Sequence, residues 1–270
     1  MNKKWLAGPY LVWMVGFIVI PLLLIVYYGL TDKSGAFTLA NVLSISTPEH
    51  VKALWLSLGL SLVSTVICLL LAYPLAMILR NRGIGQGSFI VFIFILPMWM
   101  NFLLRTLAWQ TLLEKSGVIN GILTALHLPN QNLINTPGAI ILGMVYNFLP
   151  FMVLPIYNVL CKIDDNTINA ARDLGASFTQ TLLWVWFPLS VPGIISGITM
   201  VFVPSLTTFA IPDILGGGKI MLIGNIIEQE FSTSMNWNLG SGLSIALMIF
   251  VLISMMFTVK NDGGKESSVW

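Results

Sequence analysis

The sequence predicts an all-α membrane protein of six transmembrane helices with both termini in the cytoplasm. Three observations lead there. Of 270 residues, 56% are hydrophobic and 9% charged, with mean hydropathy +0.87. Soluble domains carry about 25% charged residues, so no water-soluble core absorbs this much apolar surface. Six stretches reach the roughly 20 apolar residues that a bilayer core of about 30 Å demands. The third observation is an uneven distribution of Lys and Arg between the connecting loops.

The six stretches are 5–30, 54–79, 89–113, 138–160, 189–215 and 239–259, within one domain covering 1–270. Lys3 and Lys4 give the first the look of a secretory signal. Its apolar run far exceeds the 7–15 residues of a signal core, so it is read as a retained span. With the N-terminus inside, the inner loops hold Lys3, Lys4, Arg80, Arg82, Lys162, Arg172, Lys260 and Lys265. The outer loops hold only Lys33, Lys52, Lys115 and Lys219, which sets the orientation. Outer loops 31–53, 114–137 and 216–238 carry Gly, Pro or Asn turn signals and are too short for a folded domain. Within the last, residues 225–232 are expected to form a short re-entrant or interfacial helix. The polar tail 261–270 is expected to be disordered.

Several function classes drop out. A net charge of +2 without a basic tract gives no case for nucleic acid. Cys68 and Cys161 have no metal or redox spacing and read as free thiols. No HExxH, GxSxG or phosphate-binding glycine loop occurs. Gly216-Gly217-Gly218 before Lys219 lacks the following Ser or Thr and reads as a turn. No internal repeat supports a transporter built from inverted halves.

Prolines 21, 97, 150, 155, 204 and 212 fall at or near mid-span. Such breaks persist in lipid where neighbouring helices or a wet path satisfy the freed carbonyls. The fifth stretch concentrates them: Gly193-x-x-x-Gly197, then Pro204, Thr207, Thr208, Pro212 and Asp213. A helix this broken and polar is expected to line an interface or path rather than lipid.

Two charges lie at membrane depth, where a charge is a functional candidate by default. Arg105 follows Trp99 and Asn101, with Trp109 one turn on. Asn101 and Arg105, four apart, share a helix face. The alternatives are an Arg snorkelling to the outer interface, or a helix contact, subunit contact or gate. Asp213 near the outer end is either a solvated carboxylate or a cation contact supported by Glu228 and Glu230. Deeper in the membrane the chain offers a cation aromatic faces rather than carboxylates: Trp99, Trp109, Tyr146 and Phe148. Packing or an interfacial belt accounts equally for each taken alone.

The longest polar interruption with helix signals is 164–193. Asp165 can accept from free N–H groups at a helix start, and Ile168, Ala171 and Leu174 make a narrow apolar stripe. Gly175 stands where a left-handed residue ends a helix. Ser177 and Gln180 make a capping box for a second helix, and Pro188 and Pro192 are expected to close the unit.

The run Asn169-Ala170-Ala171-Arg172-Asp173-Leu174-Gly175-Ala176-Ser177, continuing to Pro188 and Pro192-Gly193, resembles the EAA loop of type I ABC importer permeases. Stretches 96–105, 149–157 and 213–218 with 222–225 make the chain similar to permease subunits of spermidine/putrescine importers. The resemblance spans nearly the whole chain and implies the six-helix importer fold. It also implies that Asn169, Ala170, Ala171, Asp173, Leu174 and Gly175 dock into a cytoplasmic ATPase. Asn169 departs from the Glu usual at the first position, which turns a charge-assisted contact into a weaker neutral one. The implied partners are a second permease, two ATPase subunits, an extracytoplasmic substrate-binding protein and membrane lipid. The chain itself is then no enzyme and binds no cofactor or metal, ATP and Mg residing on the ATPases. Trp99, Asn101, Arg105, Trp109, Tyr146, Thr207, Thr208, Asp213, Glu228 and Glu230 are the candidates for the substrate path. Permeases for thiamine, ferric iron, sulfate or phosphonate share the loop and remain alternatives for the cargo. An ATP-independent transporter or channel lacks its acidic relay, and a plain scaffold leaves Arg105, Asp213 and the broken span unexplained.

Overall fold

The computed structural model describes residues 8–81 and 98–260. Lys3, Lys4, Arg82, Pro97, Lys265, the first part of the third stretch and the tail 261–270 lie outside the described residues. Within them all regular structure is helical, apart from an isolated antiparallel bridge between Thr31 and Phe37. Among the described residues five helices are long and apolar enough to cross a bilayer: Tyr10–Gly29, Pro48–Asn81, Pro137–Leu160, Phe178–Thr207 and Trp237–Met256.

The helices are α1 (Gly8–Met14), α2 (Ile20–Gly29), α3 (Ala40–Leu43), α4 (Pro48–Asn81), α5 (Phe102–Leu113), α6 (Val118–Ala125) and α7 (Pro137–Leu160). Then come α8 (Asp165–Asp173), α9 (Phe178–Thr181), α10 (Phe187–Thr207), α11 (Ala210–Gly216), α12 (Ile223–Ser232) and α13 (Trp237–Lys260). Single π turns, Val15–Val19 and Leu182–Trp186, join α1 to α2 and α9 to α10 without a break. Each directly precedes a proline position, Pro21 or Pro188. Proline has no N–H and its ring clashes with the carbonyl four residues back. The wider turn admits the ring: Ile20 N–H bonds Val15 O and Phe187 N–H bonds Leu182 O, both five residues back.

Two expected spans prove discontinuous. At Asn101 the backbone leaves helical geometry (φ −56°, ψ 126°), and its side chain accepts from the N–H groups of Leu103 and Leu104. It is the N-cap of α5 and not a partner for Arg105 on one unbroken helix. The 12 residues of α5 rise about 18 Å, too short to cross alone. The expected 189–215 span breaks at Thr208, which is extended (φ −65°, ψ 140°), and α11 resumes after it.

The described residues divide into two compact units. One comprises residues up to Leu54 together with Ile223–Ser254. Within it, Asn238 Nδ2 donates to the carbonyls of Tyr28 (3.1 Å) and Thr31 (2.7 Å), tying α13 to the end of α2. Trp237 stacks edge-on against Phe231 of α12. No residue from Tyr10 to Tyr28 is buried, leaving a face for lipid or another chain. In the loop after α2, the Asp32 carboxylate accepts from the Ser34 hydroxyl and from the N–H groups of Ser34 and Ala36. Those donors, the hydroxyl first, hold its pKa below the usual carboxylate range.

The other unit is centred on α7, whose Ile140, Met144, Met152, Ile156 and Leu160 are fully buried. Against α7 lie Cys68, Ala72 and Ala76 of α4, Ile194 and Val201 of α10, and Ile211 and Leu215 of α11. Lipid is as apolar as leucine, so close contact and not water exclusion holds such helices together. Gly193 and Gly197 provide it: a Cβ at 193 would stand 2.9 Å from Pro155 O, and one at 197 would stand 2.7 Å from Met152 Sδ. This small-residue stripe therefore packs α10 onto α7 instead of lining an opening.

Candidate functional site

The polar stretch 164–187 folds much as its caps dictate, with three corrections. Asp164, not Asp165, caps α8, accepting from Asn166 N–H at 2.9 Å. Asp165 is the first helical residue and turns outward to Arg80. The expected stripe also splits: Ile168 is buried and Ala171 half-buried, whereas Leu174 is 90% exposed. Leu174 is the C-cap (φ −76°, ψ 4°), so it no longer follows the helical face. Finally, the second helix is not closed by Pro188 and Pro192. It runs from Phe178 through the π turn and α10 to Thr207, 30 residues in all, because the π turn accommodates Pro188.

Gly175 is the elbow that the sequence predicts. It sits at φ +84°, with its N–H bonded to Arg172 O (2.8 Å) and Ala176 N–H bonded to Ala171 O (3.0 Å). These two bonds make the Schellman ending, in which a residue with a Cβ costs about 1 kcal/mol of backbone strain. Nothing lies within 4 Å of a Cβ built there, so the constraint is conformational and not steric. Ser177 and Gln180 complete the capping box: Gln180 N–H donates to Ser177 Oγ and Ser177 N–H to Gln180 Oε1.

Asn169, Ala170, Asp173, Leu174 and Gly175 are exposed, and Ala171 is half-buried beneath them. Beside this face runs an open groove of about 370 Å³ between Leu174 and Trp184, with Ala171, Ala176 and Thr181 in its walls. Trp184 is 79% exposed, and Phe178 and Leu183 are exposed nearby. Exposed apolar side chains grouped beside this well-capped polar unit make it a candidate contact surface.

Arg80, in the last turn of α4, holds the other end of α8. Its Nη2 donates to Asp165 Oδ1 (2.6 Å) and Ile163 O (3.0 Å), and its guanidinium lies 4.5 Å from the Trp186 ring centroid. Asp165 is 77% exposed, so the ion pair alone contributes about 0.2–1 kcal/mol. The charged bond to the Ile163 carbonyl, about 1.5–3 kcal/mol, and the ring contact, about 0.5–2 kcal/mol, outweigh it. Sequence reasoning missed this contact. Its partners lie 83 and 85 residues away in the chain, beyond any local spacing rule.

The path candidates fall into separate groups. Trp109 and Tyr146 meet edge-to-face at 5.4 Å, joining α5 to α7. Arg105 is only 7% exposed, and its Nε and Nη1 have no hydrogen-bond partner. Asn147 Oδ1, Ser61 Oγ and Ser205 Oγ are likewise buried without partners. Trp99 and Asn101 are exposed at the helix break. Thr207 is exposed and bonds Val203 O, Thr208 forms the break, and exposed Asp213 sits in the first turn of α11. Because α11 packs on both α5 and α7, the break at Thr208 adjoins the helices that carry Arg105, Trp109 and Tyr146. Glu228 and Glu230, both half-buried, belong to α12 in the other unit. The expected short helix at 225–232 is present there as Ile223–Ser232. Among the described residues the only ion pair is Arg80–Asp165, and no group of His, Cys, Asp and Glu has the makings of a metal site.

Among solved structures, the chain resembles a bacterial alginate ABC transporter in complex with an alginate pentasaccharide-bound periplasmic protein. The TM-score is 0.79 at 16% identity, covering 95% of this chain and 93% of that one. A second alginate importer structure gives a TM-score of 0.74 at 15% identity, covering 98% of both chains. At such identities the likeness shows the fold, that of an ABC importer permease. In sequence the chain is 35% identical to the spermidine/putrescine transport system permease protein PotB of Haemophilus influenzae, over 89% of this chain and 87% of that protein. It is 35% identical to PotB of Escherichia coli (strain K12), over 90% and 92%. A PotB homolog from Mycoplasma genitalium is 28% identical over 96% and 91%. Residues 1–260 match the family described as binding-protein-dependent transport system inner membrane component. The capped and elbowed loop, the all-helical fold and these likenesses converge: the chain belongs to that family of inner-membrane ABC importer permeases.

Proposed function

We propose that this chain is a permease subunit of an ATP-driven importer that carries spermidine and putrescine into the cell. It forms one transmembrane domain, with both termini and residues 161–187 on the cytoplasmic side. It works with a second permease subunit, two ATPase subunits that bind Mg-ATP and hydrolyse it, and an extracytoplasmic substrate-binding protein. The observation that carries the reading is the mounting of α8. Its outer face is exposed, and Gly175 joins it to one helix running 30 residues to Thr207.

The ATPase takes the face formed by Asn169, Ala170, Ala171, Asp173 and Leu174. When ATP closes the ATPases, α8 moves, and the helix beyond Gly175, about 45 Å long, carries the displacement across the bilayer. The motion passes to the break at Thr208, beyond which α11 packs on α5 and α7. ATP drives the cycle only if it binds the two arrangements with different affinity. A polyamine meets aromatic faces at Trp109 and Tyr146, and Asp213 of the same unit is an acidic candidate for the path. Arg105 repels a cation, which suits a gate and not a binding contact.

The test is uptake of labelled spermidine by the complete importer in proteoliposomes. Uptake is expected to need ATP and the binding protein, and to be competed by putrescine. Uptake by this chain alone without ATP, or a failure of both polyamines to compete, contradicts the proposal.

A further inference from the structure

We propose that Arg80 is a positioning residue: it clasps the start of the docking helix to the membrane-spanning part of the chain, so that force reaching α8 moves two helices and not one. The proposal rests on the reading that α8 docks an ATPase. Its basis is the contrast between the two ends of α8. At the far end, Gly175 is a bare elbow with no atom within 4 Å of a Cβ position. At the near end, one guanidinium joins three elements. It belongs to α4, donates to the carbonyl of Ile163 and to the carboxylate of Asp165, and covers the ring of Trp186.

Both of its anchors are fixed. Leu79 and Met77, on the same turn of α4, are buried, and Trp186 is buried in the π turn at the root of the long helix. The Arg80 side chain is only 13% exposed and Trp186 is buried, so the contacts to the Ile163 carbonyl and the Trp186 ring are made largely out of water, where geometry counts for more. Arginine suits the place because its planar fork can donate to two acceptors while its face lies on a ring. Lysine keeps the charge opposite Asp165 but has no plane to lay on Trp186. Without the clasp, α8 keeps the turn at Gly175 and the packing of its buried Ile168 but loses its tie to α4, and part of a push on its outer face is absorbed by tilting.

The experiment uses the complete importer with Arg80→Ala, Arg80→Lys, Asp165→Asn and, as a control on docking, Leu174→Asp. Hydrogen exchange is measured in the assembled complex, and ATP hydrolysed per labelled spermidine imported is measured in proteoliposomes. Arg80→Ala is expected to assemble with the ATPases and to speed exchange of the α8 amides at least about fivefold, while those of α10 are unchanged. ATP consumed per spermidine is expected to rise at least about fivefold, as for the loss of a typical coupling energy. Arg80→Lys should fall between Arg80→Ala and the parent, and Asp165→Asn should shift both readouts least. The proposal is overturned if Arg80→Ala leaves α8 exchange unchanged, or if Arg80→Ala and Arg80→Lys both lose assembly and so mark Arg80 as a folding residue. Exchange needs no substrate, so it decides the matter even if spermidine is not carried. If Leu174→Asp still captures the ATPases, the docking reading fails instead, and the two failures are told apart.

Discussion

The loop at 164–187 and the helical core around α7 are built on opposite accounts of polarity. In the loop, Asp164, Ser177 and Gln180 cap their helices, Gly175 closes α8, and Arg80 meets three partners. Yet Leu174 and Trp184 stand in the open. In the core the apolar groups are buried, and the unsatisfied atoms are polar: Arg105 Nε and Nη1, Asn147 Oδ1, Ser61 Oγ and Ser205 Oγ. Satisfied polar groups around exposed apolar ones suit the proposed docking of a protein partner. Unsatisfied polar groups inside a packed bundle cost stability, which makes them candidates for function. On the proposed mechanism the first region delivers motion, and the second receives it.

The comparison breaks most visibly at Leu174. Leu174→Asp is expected to cut uptake at least about tenfold while leaving thermal stability within about 0.5 kcal/mol, since surface changes rarely exceed that. Uptake and melting in detergent check the two halves separately. In the core the order reverses. Gly193→Leu drives a side chain toward the Pro155 carbonyl and is expected to destabilise by about 1–3 kcal/mol or more. Folded yield and melting temperature read it. Arg105→Met sharpens the contrast: removing an unpaired buried cation is expected to raise stability by about 1 kcal/mol or more while changing transport. A lower melting temperature would place an unrecognised partner on that guanidinium.

The smallest effect lies in the loop after α2. Donors from Ser34 and Ala36 lower the pKa of Asp32, so its contribution is complete above the unfolded-state value. It is lost as pH falls through the lower folded value. Asp32→Asn is expected to lower stability slightly at neutral pH and to leave the acid end little changed, so that the acid limb flattens, as acid titration of melting temperature would show.

How much of this was legible in the sequence depends on the range of the physics. Gly175, the Ser177–Gln180 box and the ends of the long apolar helices follow from spacing within a few residues, and the chain displays them. The breaks at Asn101 and Thr208 were harder to read. Each lies in an apolar run whose composition favours an unbroken helix, and a side-chain cap in one case and an extended residue in the other override it. Pro188 reads as a stop and is instead absorbed by a π turn. Exposure of Leu174 follows from its place at the C-cap, which a three-residue stripe does not register. Arg80 was visible only as a loop charge, because what it does depends on residues brought near by the fold.

The central claim is that the face around Leu174 meets an ATPase, and crosslinking tests it most directly. A photoreactive residue is placed at Leu174, or at Asp213 as the comparison, in the assembled complex. The account predicts crosslinks to the ATPase from position 174 and none from position 213. The reverse pattern, or no ATPase crosslink from 174 in a complex that transports, would contradict it.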